Sequence, residues 1–334
     1  MTVHRPGEPF AIRTEADVLA LVPFTLGFHP EDSLVLVTTS AAGRPFHARI
    51  DLPDEPGELP VVVDVIARAA VRNSDAGSST LAMVVAYTDD ECVAEAAAEL
   101  IASDLEPAGF EVVMRIRADG RRWFPLGGGG SDDRACAGVP YDVRTHELTA
   151  RAVVDGRVTF GSREELVESL APLDPEAVEE VLAAHAVLPP LDVSRAALVQ
   201  EAEWLRNQIR GHVAHGTVPG PSEIARILRA VRHRDVRDLA WCDVTREDAE
   251  RHAELWRAVV RRSPEELVAA PAGLLAFTAW LSGNGALSWC AVDRSLCADP
   301  DHVLARLVGQ ALETAMHPTA WRPVDLTELA LYAG

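Results

Sequence analysis

The chain has 334 residues, 48% of them apolar, and carries 31 basic against 51 acidic residues, a formal charge of −20. That length suits one large or two ordinary globular domains, and the acidic balance repels phosphate backbones and anionic lipid heads, so neither nucleic acid nor a membrane is an expected partner. All 31 basic residues are arginine, which excludes lysine Schiff bases, the Walker A phosphate loop and the ATP-anchoring lysine of protein kinases.

The opening stretch Met1–Glu15 lacks the basic start and apolar core of a signal peptide, and no apolar run reaches bilayer length, so a cytoplasmic location is expected. Thr14 is placed to cap a helix with apolar positions at Val18, Leu19, Leu21 and Val22, which Pro23 and Gly27 are expected to break. The loop Gly27–Asp32 then gathers His29, Glu31 and Asp32 in front of a strand, Ser33–Thr38. Ala41-Ala42-Gly43 turns the chain into a second strand, Arg44–Leu52. This unit from Leu19 to Pro53 resembles the opening of a bacterial family known as domain of unknown function 4192, a resemblance that implies no assigned activity.

Leu59–Val71 reads as a helix and Asn73–Ser79 as a loop. Leu81–Tyr87 is a continuous apolar run suited to a buried central strand. Asp89-Asp90-Glu91 opens the next helix and Pro107-Ala108-Gly109 closes it. Phe110–Ala118 alternates as a half-buried strand, and Asp119-Gly120 turns it into a partner at Arg121–Pro125. The glycine run Gly127–Asp133 reads as a loop, because no helix start follows closely enough for a phosphate cradle. The family resemblance implies a cysteine-rich stretch here, leading into a Gly-x-Pro-Tyr-Asp segment. Gly138–Asp142 matches that segment, but Cys136 is the one cysteine present.

From Ser162 the pattern is helical: a capping box at Ser162–Glu165, a start at Asp174-Pro175 that ends at Pro189-Pro190, and helices over Ser194–His212, Ser222–Cys242 and Arg246–Arg262. Three more are expected between Pro271 and His317. The turn Gly283-Asn284-Gly285 and a restart at Asp299-Pro300 there resemble a single tetratricopeptide-like hairpin, which also matches the end of the same family. The expected architecture, of the α+β or α/β class, is an N-terminal mixed β-sheet with packed helices followed by an all-helical domain, residues 1–172 and 173–334.

No complete catalytic motif is present: G-x-S-x-G, H-E-x-x-H and a G-x-G-x-x-G after a strand are all absent. Cys92, Cys136, Cys242, Cys290 and Cys297 are scattered without a C-x-x-C pair, so free thiols and no metal or cofactor are expected. His212 and His215 sit three apart where a helix face can offer both to a metal, but flanking glycines suit a helix end equally well. Arg226, Arg229, Arg232, His233, Arg234 and Arg237 are spread around a helix, as on an ordinary solvated surface.

The candidate ligand site is His29, Glu31 and Asp32 with Arg49 and Asp51, which a tight hairpin register brings to the same loop. These residues also suit a structural role in which Asp32 turns the chain and Arg49 pairs with a carboxylate. Arg237-Asp238 and Asp293-Arg294 resemble family positions and suit helix packing. Two functions follow. In the first, the helical domain docks a protein partner in an interaction or regulatory role, motivated by Trp280, Trp289 and Trp321. In the alternative, the His29 loop binds or transforms a small anionic molecule.

Overall fold

Thr14 starts the first helix, α1 (Glu15–Leu26), with a reciprocal cap. Its hydroxyl accepts the Asp17 N–H at 3.2 Å, and the Asp17 carboxylate accepts the Thr14 N–H at 2.9 Å. The computed structural model describes residues 12–40, 46–74, 80–127, 137–154, 158–172 and 174–332. The first eleven residues, the Ala41–Gly43 turn, most of the Gly127–Asp133 loop, and Cys136 lie outside the described residues. The expected break at Pro23 does not occur, since Pro23 lies inside α1 and the helix runs on to Gly27, which ends it at φ 80°. A proline this near the end removes one donor, the partner of the Leu19 carbonyl, and the Gly27 N–H returns to the Pro23 carbonyl at 2.8 Å.

Among the described residues six strands form one mixed sheet in the order β2-β1-β3-β4-β5-β6: β1 (Ser33–Ser40), β2 (Phe46–Asp51), β3 (Thr80–Tyr87), β4 (Phe110–Ala118), β5 (Arg122–Pro125) and β6 (Val139–Pro140). β3 and β4 run parallel, joined by a helix, and every other neighbouring pair is antiparallel. Helices α2 (Leu59–Asn73) and α3 (Glu91–Leu105) cover one face, with Val63, Ile66, Ala98 and Ile101 packed on Leu34, Leu36, Val84 and Ala86. α1 covers the other face, setting Val18, Leu19 and Val22 on Val35, Val37, Val85 and Ile116. A short helix, α4 (Glu147–Val154), packs beside α1.

β3 therefore buries both of its faces, which is why its sequence lacks polar alternation. Its register with β4 slips after Ala82, where Val113 is the extra residue and is 48% exposed.

The chain divides into two compact units at Arg163–Glu164, within α5 (Arg163–Glu168). The described part of the second unit contains helices and no strand: α6 (Pro175–Ala186), α7 (Arg195–His215), α8 (Pro221–Val231), α9 (Arg234–Asp238), α10 (Ala249–Val260), α11 (Ala269–Leu281), α12 (Gly285–Ala298) and α13 (Val303–Glu313). α11 is buried along its length from Ala270 to Leu281, and α10, α12 and α13 pack around it. Asn284 caps α12 by accepting the Leu287 N–H at 3.0 Å.

Three expected boundaries move. The helix expected over Ser222–Cys242 is two helices, α8 and α9, separated at extended His233. The buried positions jump by five residues there, from Val231 to Val236, and the break restores the helical phase. α10 starts at Ala249 rather than Arg246, because the Asp248 carboxylate holds the Thr245 N–H at 2.8 Å in a turn. α13 starts at Val303 rather than at Asp299-Pro300. Asp299 makes a turn instead, its carbonyl accepting the His302 N–H at 3.0 Å and its carboxylate the Asp301 N–H at 3.1 Å.

Candidate functional site

The register of the sheet places the His29 loop. Ser33 lies opposite Asp51 on one side and Tyr87 on the other, and Tyr87 lies opposite Ala118. The start of β1, the end of β2 and the carboxyl ends of the parallel pair β3 and β4 thus share one end of the sheet. The turns after β3 and β4 open there, and Asp90 caps α3 at that end by accepting the Val93 N–H at 3.0 Å. In open α/β sheets ligands collect outside the carboxyl ends of parallel strands, where the chain leaves in different directions.

Two backbone hydrogen bonds hold the loop in a parallel bridge with Phe160: His29 N–H to the Phe160 carbonyl at 3.0 Å, and Phe160 N–H to the Gly27 carbonyl at 2.8 Å. Phe28 is buried beneath this bridge, an anchor worth about 1.5–3 kcal/mol. Asp32 takes a left-handed conformation, φ 41°, and its carbonyl accepts the Leu52 N–H at 2.8 Å. The Ser33 hydroxyl donates to the Glu31 carbonyl. Glu31 and Asp32 themselves are exposed, so their backbones shape the loop and their carboxylates face water.

Arg49 and Asp51 reach this end as the hairpin register requires. Arg49 sits opposite Val35, on the α1 face, and its Nη2–H donates to Asp51 Oδ1 at 2.5 Å. Its guanidinium lies 5.4 Å from the Phe28 ring centroid, a cation–π distance. Arg49 Nε is buried and makes no hydrogen bond among the described residues. His29 is held below the ordinary imidazole value, first by burial and then by the charge of Arg144. At neutral pH it is accordingly an uncharged acceptor or base.

Three further residues near this end of the sheet lie outside the expected site. His47 lies two residues before Arg49, hence on the same face. Burial holds its imidazole down to about 4, and its Nδ1 makes no hydrogen bond among the described residues. The Tyr87 hydroxyl is likewise buried without a partner among them, and burial together with the nearby Tyr141 phenol pushes it well up. Arg144 comes from the segment after β6, more than a hundred residues from His29 in sequence. Strand alternation marks His47; no local signal marks Arg144.

In the helical unit most of the singled-out residues are tied into packing. Arg237 is buried, with Nη1–H on His302 Nε2 at 3.3 Å and Nη2–H on Asp238 Oδ1 at 3.2 Å, and Asp238 also accepts the Trp241 indole N–H at 3.1 Å. Arg294 grips Glu265 with two parallel hydrogen bonds at 3.0 and 2.6 Å, while Asp293 is exposed. Trp280 is buried and donates to the Met316 carbonyl at 3.0 Å. Trp321 donates to the Val244 carbonyl at 2.9 Å, and Trp289 is half-buried. Trp241, Phe277, Trp280 and Trp321 form one aromatic cluster with centroid separations of 5.0–6.0 Å.

The arginine run is also engaged. Arg226 and Arg229 both donate to the buried Glu201 carboxylate at 2.8 Å, and Arg226 stacks 3.7 Å from the Trp204 centroid. His212 Nε2 meets Glu223 Oε1 at 3.0 Å, and His215 Nδ1 meets the Gly211 carbonyl at 2.8 Å. No three His, Cys, Asp or Glu among the described residues come together as metal ligands. No helix among them is long and apolar enough to cross a membrane.

The family described as domain of unknown function (DUF4192) matches residues 16–319 of the chain. Its match spans both units, and the chain belongs to that family. No curated protein and no solved structure matches.

Proposed function

We propose that this member of the family binds a small anionic molecule at the carboxyl end of β3 and β4, beside the His29 loop. One observation carries the reading: in a chain of −20 formal charge, the guanidinium of Arg49 lies over the Phe28 ring next to His29, with its Nε unpartnered among the described residues. The charge of Arg144, itself paired with Asp142 at 3.4 Å, also bears on the imidazole. Asp51 orients Arg49 and leaves part of its fork for a carboxylate or phosphate. His29, uncharged, is suited to accept a hydrogen bond from a ligand hydroxyl. The test is a screen of small carboxylates and phosphates by thermal shift, followed by titration of Arg49→Ala and His29→Ala. Both variants should bind the hit at least about tenfold more weakly. Lower melting temperatures with unchanged affinity would mean that the loop is structural.

A second reading, docking of a protein partner by the helical unit, keeps a different observation from the one that first suggested it. Trp280 and Trp321 face inward, but α13 exposes Val303 and Leu307, 49% and 56% accessible, one turn apart, followed by Met316 at 49%. A partner helix with an apolar stripe would fit there. Leu307→Asp should abolish capture of such a partner without changing the fold, and capture that survives the substitution would remove this reading.

A further inference from the structure

The helical unit contains a cleft of about 220 Å³ between α7, the turn after α9 and the first turn of α10. Arg206, Arg210 and Arg251 line it together with Asp243, Asp248 and His252, three guanidinium charges against two carboxylates. In a chain of −20 formal charge this is a local excess of positive charge.

The groups are arranged as well as gathered. Asp243 Oδ2 accepts Arg206 Nε–H at 3.0 Å, Arg206 Nη2–H at 2.7 Å and Arg210 Nη2–H at 2.8 Å. A single carboxylate oxygen therefore holds both guanidinium groups. Among the described residues the Nη1 groups of both make no hydrogen bond, and Arg251 makes no ion pair. Asp248 is occupied with the Thr245 N–H, and its other oxygen stands 4.0 Å from His252 Nε2, outside hydrogen-bond reach.

His252 is 6% exposed, and its Nδ1 makes no hydrogen bond among the described residues. A buried imidazole left in this state costs stability, which a ligand that supplies a partner would recover. Burial lowers its pKa and so do Arg251 and Arg210, against the opposing pull of Asp248 and Asp243.

We propose that this cleft is a second binding site, for a small phosphate dianion, either free or as the head of a short phosphate ester. Paired, preoriented guanidinium forks match the oxygens of a tetrahedral dianion. The volume lies below the roughly 300–1,000 Å³ of drug-sized pockets and suits a ligand of a few heavy atoms beyond the phosphorus. Asp243 and Asp248 at the wall can accept hydrogen bonds from ester hydroxyls and disfavour more highly charged anions.

The site lies in the other unit from the sheet-end reading and does not depend on it. Calorimetric titration of the full chain with inorganic phosphate and with glycerol phosphate, at an ionic strength fixed by sodium chloride, tests the proposal. Saturable one-site binding is expected for at least one of the two. A response to phosphate alone identifies the free ion, and tighter binding of glycerol phosphate identifies an ester.

Arg251→Gln and Arg210→Gln remove exposed arginines, so the fold should persist while affinity falls about tenfold. Arg294→Gln, which is not among the residues lining the cleft, is the control that should bind as the native chain does. Absence of saturation by either probe beyond the chloride control overturns the proposal, as does undiminished affinity in both cleft variants. Affinity that falls in Arg49→Ala but in neither cleft variant would place the anion at the sheet end and overturn the cleft site equally.

Discussion

Gly273→Ala sets two effects of opposite sign against each other on α11. Alanine in a helix interior is favoured over glycine by about 1 kcal/mol. The new methyl, however, would lie 2.5 Å from His302 Cε1 and 2.8 Å from His302 Nδ1. The ring cannot move aside cheaply. His302 Nε2 accepts from Arg237 at 3.3 Å, and Nδ1 lies 3.2 Å from the Ser295 hydroxyl, which donates to the Ala269 carbonyl at 2.7 Å, and 3.4 Å from the Ala305 N–H at the start of α13. Displacing the imidazole overpacks the core, at about 1–3 kcal/mol, and leaves a buried guanidinium short of a partner, at about 1–3 kcal/mol more. The net expectation is a loss of about 1–5 kcal/mol once the helix gain is subtracted.

Urea denaturation followed by tryptophan fluorescence reads this directly, because Trp241, Trp280 and Trp321 lie in the same unit. In a His302→Ala background the clash is gone, so Gly273→Ala should then be neutral or stabilising. A Gly273→Ala protein as stable as the native chain, or more so, would refute the reasoning and show that the Arg237–His302–Ser295 relay is not rigid.

Acid should also weaken the fold through this relay. Burial and then the charge of Arg237 hold His302 down to about 4, so the folded state stays neutral while the unfolded chain takes up a proton below about 6.5. The contribution is complete above pH 6.5 and declines as the pH falls toward 4. Denaturation midpoints at pH 7.5 and 5 should differ less in His302→Gln than in the native chain, and equal differences would count against it. Glu201→Gln should destabilise by about 2–3 kcal/mol, because a buried carboxylate shared by two guanidiniums is lost. Arg226 is 37% exposed in its side chain and recovers some hydration, which keeps the figure below that of a fully buried pair. A change under about 0.5 kcal/mol in urea denaturation would mean that the arginines re-pair elsewhere.

Local chemistry determined a large part of this protein directly from its sequence. The cap at Thr14, the glycine stop at Gly27, the start at Asp174-Pro175 and the strand Phe110–Ala118 all follow from interactions within four or five residues. The approach of Arg49 and Asp51 to the His29 loop was legible for a related reason. A hairpin's register follows from its two strands, and alternation then decides which side chains share a face.

Long-range packing decided the rest. Pro23 stays helical because a single missing donor near a helix end is tolerated in α1, whose inner face is buried on the sheet. The arginine run resembles a solvated surface by spacing, yet Arg226 and Arg229 converge on Glu201 and Arg237 enters the core beside His302. Trp280 and Trp321 are resolved in the same way, by an aromatic cluster assembled from three separate segments. The cleft of Arg206, Arg210 and Arg251 has no sequence signature, because its charges come from two helices far apart in sequence and their electrostatic environment includes Asp243 on the turn after α9. Spacing specifies the direction in which a side chain leaves the backbone; the partner it meets is specified by residues tens of positions away, which only the folded chain brings within hydrogen-bond distance.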